Sequence, residues 1–216
     1  MPVKFDRSLL PAAPDLSFEI NLWASGLCRL AGIDEAGRGA LAGPVAAGAV
    51  ILPPEPSLIE TLLGVRDSKE MTPAEREYWA GRLPGLAVSC GVGFASAQEI
   101  DELGILPATR LAVQRALERL RVYPQHLLVD YLELPGCRIP QTALVKGDAR
   151  SLSIAAASIL AKTARDALLR QLDSQYPGYV FAAHKGYGTP AHLAAIQRLG
   201  PCPIHRISFA PFNKRE

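Results

Sequence analysis

Carboxylates placed beside apolar runs are the residues of this sequence best suited to chemistry. Four acids share this placement: Asp34, Glu35, Asp130 and Asp148. Ionised carboxylates at the rim of a core are costly unless a positive charge pairs with them. Acids at the ends of neighbouring strands converge, and such a cluster is stable around hard cations such as Mg²⁺ or Mn²⁺. The pattern therefore favours a divalent metal site.

Two ions held by such acids would support an in-line phosphoryl displacement, and hydrolysis of a phosphodiester is the obvious use. A simpler explanation exists for each acid alone. An isolated acid after a strand is usually a turn or N-cap residue, and this applies to Asp130 and Asp148. The adjacent pair Asp34–Glu35 within apolar sequence is harder to explain in that way. Only the combination of acids indicates a metal site.

The elements that would position these acids alternate between strands and helices. Strands are predicted over residues 28–34, 45–52, 87–95, 126–130 and 141–145, the first two forming an antiparallel pair around a glycine-rich turn. A helix should begin at the capping box Thr72–Glu75, an amphipathic helix should cover 106–120, and a long alanine-rich helix should follow Ser151. Short helices and loops are expected beyond Tyr176. The pattern predicts one α/β unit.

Composition narrows the class of protein. The 216 residues carry a net charge of +2, so total charge gives no argument for nucleic acid, although a local basic patch is compatible with it. Four scattered cysteines indicate free thiols in a reducing compartment. Early charges and prolines argue against a signal peptide, and no apolar stretch is long enough to span a bilayer. A cytoplasmic protein is expected.

Several motifs carry a resemblance to a known family. GIDEAGRGALAGPV, the later DSK, KGDARSLSIAAASILAKTARD, HKGYGT and GPCPIHRISFAPF, in this order, closely resemble the bacterial type 2 ribonuclease H family, ribonuclease HII. The resemblance runs from about residue 29 to 212. It implies an α/β ribonuclease H-like fold, with a central mixed sheet flanked by helices and a helical C-terminal extension over about 168–216. The catalytic domain would cover 28–216, after a leader, 1–27, of unknown role.

The resemblance also implies an activity. The family hydrolyses the RNA strand of RNA/DNA hybrids and incises duplex DNA on the 5′ side of a single ribonucleotide, leaving 3′-hydroxyl and 5′-phosphate ends. It implies that Asp34, Glu35, Asp130 and Asp148 are both the catalytic and the metal-binding residues, for one or two Mg²⁺ or Mn²⁺ ions. The expected partners are RNA/DNA hybrid and ribonucleotide-containing duplex DNA. A monomer that does not bind membranes is expected.

The family's substrate contacts map onto two further groups of residues. The turn Gly37–Arg38–Gly39 would sense the ribose 2′-hydroxyl, which separates RNA from DNA, and Tyr187 would pack on the following sugar. Contacts to phosphates are expected from Ser68, Lys69, Lys146 and Lys185. Without the resemblance, Tyr187 is more simply a loop aromatic covering core, and Lys69 a solvated charge. Arg38 could equally be the ion-pair partner of Glu35.

Two positions depart from the family pattern. Ala40 replaces the usual proline, which should loosen the turn slightly. Tyr131 replaces a common glycine, so the backbone there could differ and the ring could crowd one edge of the site. The histidines His184, His192 and His205 show no tight metal-ligand spacing, and hard cations prefer oxygen. His205 is expected to be a structural hydrogen-bonding residue.

Three other functions remain open from the sequence. A dinucleotide-binding module is suggested by Gly37-x-Gly39 after a strand, but the third glycine is displaced to Gly43 and the acids precede the loop. A silent binder of hybrid duplexes would be favoured only by lost acids. A type 3 ribonuclease H is a closer rival, although it usually carries a longer N-terminal binding domain.

Overall fold

The computed structural model describes residues 10–213, and one mixed sheet lies at its centre. The strands are β1 (Leu30–Ala36), β2 (Val45–Ile51), β3 (Ser89–Ala95), β4 (His126–Asp130) and β5 (Gln141–Leu144). Their order across the sheet is β3-β2-β1-β4-β5. β1, β2 and β3 pair antiparallel, whereas β4 and β5 extend the sheet in parallel from β1. The predicted mixed sheet and its first antiparallel pair are confirmed.

Helices flank the sheet. They are α1 (Ser17–Ala24), α2 (Leu58–Thr61), α3 (Pro73–Leu86), α4 (Ala97–Leu103), α5 (Ile105–Glu118), α6 (Leu152–Gln175), α7 (Phe181–His184) and α8 (Pro190–Leu199). α3 begins at the predicted capping box, in which the Thr72 and Glu75 side chains each accept the other's backbone N–H. The helical C-terminal region is also confirmed. No helix within residues 10–213 is long and apolar enough to cross a membrane.

The sheet is covered on both faces. α5 packs its buried alanines against one face, where Ala31, Ile33 and Ile51 contribute from the strands. α6 lies on the other face, and its residues 152–161 are all buried, as its lack of charge predicted. Because both faces of the strands are buried, the strands are nearly continuous apolar runs.

Glycines in the strands let α6 approach the sheet closely. A Cβ at Gly32 would lie 2.1 Å from the carbonyl carbon of Ser153, and one at Gly48 would lie 2.2 Å from the carbonyl oxygen of Ala157. Because these neighbours are helix backbone, no side-chain rotation could relieve the contact. The alanine-rich helix and the strand glycines therefore form one tightly packed layer.

Gly48→Ala should destabilise the protein strongly. We expect its free energy of unfolding to fall by about 3 kcal/mol or more, because the helix would have to move off the sheet. Gly81→Ala is the matched control, since Gly81 is exposed in α3 and no atom lies within 4 Å of the place that an added Cβ would take; it should gain about 0.5–1 kcal/mol. Urea denaturation of both variants checks this, and equal midpoints would contradict it.

The structure adds helix α1, which the sequence did not indicate. α1 lies within the leader predicted as 1–27, whose first nine residues fall outside the described residues. Glu19 of α1 is 1% exposed, and its Oε1 accepts hydrogen bonds from both Ser151 and Ser153. Asp15 also forms a bridge with Ser151. Residues 15–24 are thereby packed against the start of α6.

Candidate active site

The four predicted acids lie at one edge of the sheet. Asp34 and Glu35 are near the end of β1, and Asp130 ends the parallel neighbour β4. Asp148 lies in a 3₁₀ turn, Gly147–Ala149, between β5 and α6. The ends of parallel strands meet at the same edge, which is why sequence-distant acids converge here.

Three of the acids form a compact ligand group. Oxygen atoms of Asp34, Asp130 and Asp148 all lie within 4.8 Å of one another. Backbone N–H groups fix two of them: Glu35 donates to Asp34 Oδ1 at 2.7 Å and Gly147 donates to Asp130 Oδ1 at 2.7 Å. Among the described residues, the buried Asp148 Oδ1 has no hydrogen-bond partner. An unsatisfied buried carboxylate oxygen beside two others fits a hard cation.

Glu35 stands slightly apart from this group. Its Oε1 accepts from Arg38 at 2.9 Å, so the ion pair considered from the sequence is present. Glu35 still lines the same cleft as Asp34 and Asp130. Its role as a metal ligand stays a prediction.

Burial and mutual repulsion disfavour the ionised form of the clustered acids. Burial, followed by the charges of Glu35 and Asp130, raises the pKa of Asp34 well above its ordinary value. Burial, followed by Asp148, raises the pKa of Asp130 to about 6. A divalent ion would remove this penalty by neutralising the cluster.

One lysine partly balances the cluster. Lys69 Nζ lies 3.2 Å from Asp148 Oδ2 and 3.7 Å from Asp67 Oδ1. Burial alone would lower the pKa of Lys69, but the charges of Asp34, Asp148 and Asp67 raise it overall. Lys69 therefore contacts the acids as well as lining the cleft.

Asp34→Asn should stabilise the metal-free protein. In EDTA we expect about 1–3 kcal/mol of added stability, because the variant keeps the Oδ1 acceptor but removes a buried charge from a crowd of like charges. Mg²⁺ or Mn²⁺ should raise the Tm of the wild type, and it should raise the Tm of the variant much less. Thermal denaturation with and without ion checks both. Glu102→Gln, at an exposed position of α4, is the control. An increase in Tm with metal that is as large in Asp34→Asn as in the wild type would contradict the assignment.

A cleft of about 620 Å³ opens beside the acids. It brings together most of the predicted substrate residues: Gly37, Arg38, Gly39, Ser68, Lys69 and Tyr187. Tyr187 is 36% exposed, with the guanidinium of Arg165 5.4 Å from its ring centre. The ammonium of Lys162 lies 5.9 Å from the same ring centre, so the partly exposed tyrosine lines the cleft with two cations near its ring.

Lys146 and Lys185 do not line this cleft. The ammonium of Lys185 donates to the carbonyl of Ala182, and Lys146 is exposed beside the turn that carries Asp148. Their contact with phosphates stays a prediction.

Other cationic residues of the cleft were missed from the sequence. Arg76 and Lys162 line it, and both approach Asp166, at 3.6 Å and 2.6 Å. The i,i+4 pair Lys162–Asp166 was visible in the sequence as a helical charge pair, whereas Arg76 comes from α3, far away along the chain.

Two buried arginines hold the glycine-rich loop. Arg165 and Arg206 are both 0% exposed, and burial lowers the pKa of Arg206 to about 9. Their guanidinium groups donate only to backbone carbonyls in the hydrogen bonds observed. The acceptors are the carbonyls of Arg38, Ala42, Gly43, Pro44 and Lys185. Charged donors bind carbonyls strongly, so the loop is rigidly placed.

The two departures from the family pattern are well accommodated. Tyr131 adopts φ +57°, a conformation that favours glycine, so the replaced glycine's backbone geometry can be kept. Its ring is 68% exposed and is not among the residues lining the cleft, so the expected crowding does not occur. The amide of Ala40 donates to Gly37 at 3.3 Å, which proline could not do. This turn hydrogen bond opposes the loosening expected there.

The three histidines without a tight spacing in the sequence are in contact in the structure. His184 and His192 stack with ring centres 4.3 Å apart, and His192 Nε2 lies 3.1 Å from His205 Nε2. His205 also accepts from the amide of Cys202, which confirms its hydrogen-bonding role. All four cysteines are free thiols, as predicted.

Comparison with known proteins decides between the remaining functions. The family model described as Ribonuclease HII matches residues 31–212, a range that includes all four acids and the cleft. The chain belongs to the ribonuclease HII family. It is 54% identical to the ribonuclease HII of Synechococcus sp. (strain JA-3-3Ab) over 200 residues, covering 93% of this chain and 90% of the relative. It is 52% identical to that of Dehalococcoides mccartyi (strain ATCC BAA-2266 / KCTC 15142 / 195), covering 94% and 97%.

Solved structures agree with this ribonuclease HII assignment. The ribonuclease H2 of Pyrococcus horikoshii OT3 superposes with a TM-score of 0.68 at 29% identity, covering 85% of this chain and 95% of that one. Bst-RNase HIII in complex with Mn²⁺ has a TM-score of 0.63 at 18% identity, covering 85% and 68%, and shares the fold alone. The ribonuclease H-like fold is confirmed, and the enzyme is a type 2 ribonuclease H. The dinucleotide-binding and type 3 alternatives are thereby set aside.

Proposed function

We propose that the chain is an endoribonuclease that hydrolyses the RNA strand of RNA/DNA hybrids and incises duplex DNA 5′ of a single embedded ribonucleotide. The observation that carries the proposal is the shared cleft. Acids suited to a divalent ion, a glycine turn and Tyr187 line one cavity, so a sugar read by the turn would sit beside the reacting phosphate.

The acids would hold the metal. Asp34, Asp130 and Asp148 converge, with Glu35 beside them, and together they would bind one or two Mg²⁺ or Mn²⁺ ions. Bound there, the ions would supply Lewis-acid stabilisation of the charge that develops on the phosphate oxygens. Fixed N–H donors from Glu35 and Gly147 hold two of the carboxylates in place beforehand.

The turn would identify ribose. Gly39 has open space where a side chain would stand, so the backbone of Gly37–Arg38–Gly39 can approach a 2′-hydroxyl. Tyr187 would pack on the neighbouring sugar. Incision 5′ of the ribonucleotide breaks the bond from phosphorus to the preceding O3′, which leaves 3′-hydroxyl and 5′-phosphate ends. The 2′-hydroxyl of the ribonucleotide lies beside its own 3′-phosphate and away from the 5′-phosphate at which the bond breaks. It therefore serves recognition, and water is the nucleophile.

Cationic residues would bind the phosphates. Lys69, Arg76 and Lys162 line the cleft, and Ser68 is beside them. Lys146 and Lys185 would contact phosphates farther along the duplex. Such contacts are independent of base sequence and weaken with salt, so binding should depend steeply on ionic strength.

The test is incision of labelled duplexes. One duplex carries a single ribonucleotide, one is all DNA and one is an RNA/DNA hybrid, each with Mg²⁺, Mn²⁺ or EDTA. We expect metal-dependent cutting 5′ of the ribonucleotide and within the RNA strand, and none in all-DNA duplex. A duplex in which 2′-O-methyl ribose replaces the ribonucleotide is the matched control and should resist cutting. Binding without cutting in either metal would indicate a silent binder and contradict the proposal.

Such an enzyme would act in ribonucleotide excision repair. Four free thiols suit the cytoplasm. The acids, the glycine turn and Tyr187 all line one cleft of a single chain, so a monomer would suffice. Sedimentation of the protein with and without duplex would measure the oligomeric state.

A further inference from the structure

A chain of buried hydrogen bonds links the C-terminal loop to Tyr187. The amide of Cys202 lies 2.9 Å from His205 Nδ1, His205 Nε2 lies 3.1 Å from His192 Nε2, and His192 Nδ1 lies 3.0 Å from the Tyr187 carbonyl. His192 is 0% exposed and His205 2%. The chain runs from the loop after α8, through α8, to the segment beside the cleft.

The two ends of this chain fix the direction of every hydrogen bond in it. The Tyr187 carbonyl can only accept, so a neutral His192 carries its proton on Nδ1, and its Nε2 accepts from His205 Nε2. His205 Nδ1 is then an acceptor, which suits the amide N–H of Cys202 at 2.9 Å and the Cys202 thiol at 3.1 Å. The Cys202 carbonyl, 3.3 Å from the same nitrogen, is not hydrogen-bonded to it in this tautomer. Burial lowers the pKa of His192 to about 4 and lowers that of His205, so both rings are neutral at neutral pH.

A third histidine supports the same segment. His184 stacks on His192, accepts from the Gly186 amide at 3.1 Å and contacts the Tyr179 carbonyl at 2.7 Å. The Gly186 carbonyl in turn accepts from Leu41 at 2.8 Å. The segment that carries Tyr187 is thus tied to the glycine-rich loop on one side and to the histidines on the other.

We propose that His192 and His205 are positioning residues that set the place of Tyr187 over the cleft and thereby the efficiency of ribose-dependent cutting. The inference rests on the proposed function, in which Tyr187 contacts a substrate sugar. His192 acts through the Tyr187 carbonyl, and His205 acts by fixing which nitrogen of His192 carries the proton. An ordinary core histidine would stabilise the fold without a required tautomer and without coupling to Tyr187.

The first test measures the tautomers directly. Long-range ¹H–¹⁵N NMR of the ¹⁵N-labelled protein distinguishes Nδ1–H from Nε2–H, and the chain has only four histidines to assign. We expect His192 as the neutral Nδ1–H form and His205 as the neutral Nε2–H form at pH 7. His205→Phe should remove the preference of His192 for the Nδ1–H tautomer. A His192 that is cationic, or protonated on Nε2 alone, would overturn the proposal whatever the activity.

The second test couples the histidine to Tyr187. His192→Leu cannot donate to the carbonyl and should lower kcat/KM on the single-ribonucleotide duplex about tenfold, the size of one lost hydrogen bond. His192→Asn places an amide N–H near the Nδ1 position and should recover most of that loss. In a Tyr187→Ala background, His192→Leu should have little further effect. His126→Asn, at the far end of β4, is the control and should change kcat/KM less than about twofold.

The outcomes distinguish a failure of the positioning role of His192 from a failure of the proposed function. If His192→Leu lowers kcat/KM by the same factor with and without Tyr187, it does not act through Tyr187 and the inference fails. If Tyr187→Ala is impaired but His192→Leu cuts as well as the wild type, the inference also fails, although the proposed function stands. A wild type that cuts neither substrate with either metal would overturn the proposed function, and with it this inference.

Discussion

Asp130→Asn should abolish cleavage and leave the fold intact. Asparagine keeps the shape of the side chain and the Oδ1 acceptor that receives the Gly147 N–H at 2.7 Å. It loses the charge that the divalent ion would share with Asp34 and Asp148, whose oxygens lie within 4.8 Å. Losing several kcal/mol of transition-state stabilisation corresponds to at least about a 10³-fold fall in kcat. Single-turnover cleavage of the single-ribonucleotide duplex measures it.

The control for this variant is Glu133→Gln, which removes an exposed carboxylate from the loop that follows β4. It should cut at the wild-type rate, and circular dichroism of both variants should match the wild type. Turnover of Asp130→Asn within about tenfold of the wild type would remove Asp130 from the catalytic set.

The same variant should change the pH dependence of stability. The folded pKa of Asp130, about 6, is above its unfolded value near 3.8, so the folded state binds more protons in this window. Its contribution to stability is therefore present below pH 3.8 and is lost as pH rises through 6. In EDTA, the stability of Asp130→Asn relative to the wild type should increase from about pH 4 to about pH 6, as measured by urea denaturation at each pH. A difference that does not vary with pH would contradict the raised pKa.

Gly37→Ala should abolish cleavage and destabilise the fold, whereas Gly39→Ala should slow cleavage without changing stability. Gly37 has φ +91°, and a Cβ there would lie 2.0 Å from Arg165 Nε. The substitution would displace the arginine that holds the carbonyls of Ala42 and Pro44. We expect a loss of about 3 kcal/mol or more in stability and cleavage too slow to measure.

Gly39 provides the comparison because no atom lies within 4 Å of its added Cβ and its φ is not in the positive range. Gly39→Ala should unfold at the wild-type midpoint but cut the ribonucleotide duplex at least about tenfold more slowly, because the methyl group would occupy the space proposed for the ribose. Denaturation midpoints and kcat/KM for both variants check the pair. Full activity in Gly39→Ala would show that the substrate does not approach the turn there.

Much of this site could be predicted from local patterns. An apolar run that ends in an acid places the acid at a strand end, and parallel pairing then brings Asp34 and Asp130 together. The capping box at Thr72 depends on residues three apart, so it too is visible in the sequence. The long helix followed from the uncharged alanine run after Ser151.

The missed features depend on partners that are distant in sequence. Glu19 is buried because Ser151 and Ser153 surround it, more than a hundred residues away. Arg165 and Arg206 lie in motifs that were noted, but four of their five carbonyl acceptors come from the loop after β1. The three histidines meet only because α7, α8 and the C-terminal loop fold against one another.

The contact between α1 and the start of α6 sets a limit on how far the chain can be shortened. Residue 28 is where the sequence alone predicts the catalytic domain to begin, and a shortened protein would naturally be started there. Such a protein would lose Glu19 and expose the hydroxyls of Ser151 and Ser153. Ser151 is three residues from Asp148, so fraying at this end of the helix would reach a catalytic carboxylate. A shortened protein that keeps the start of α6 and Asp148 in place must therefore begin before Asp15.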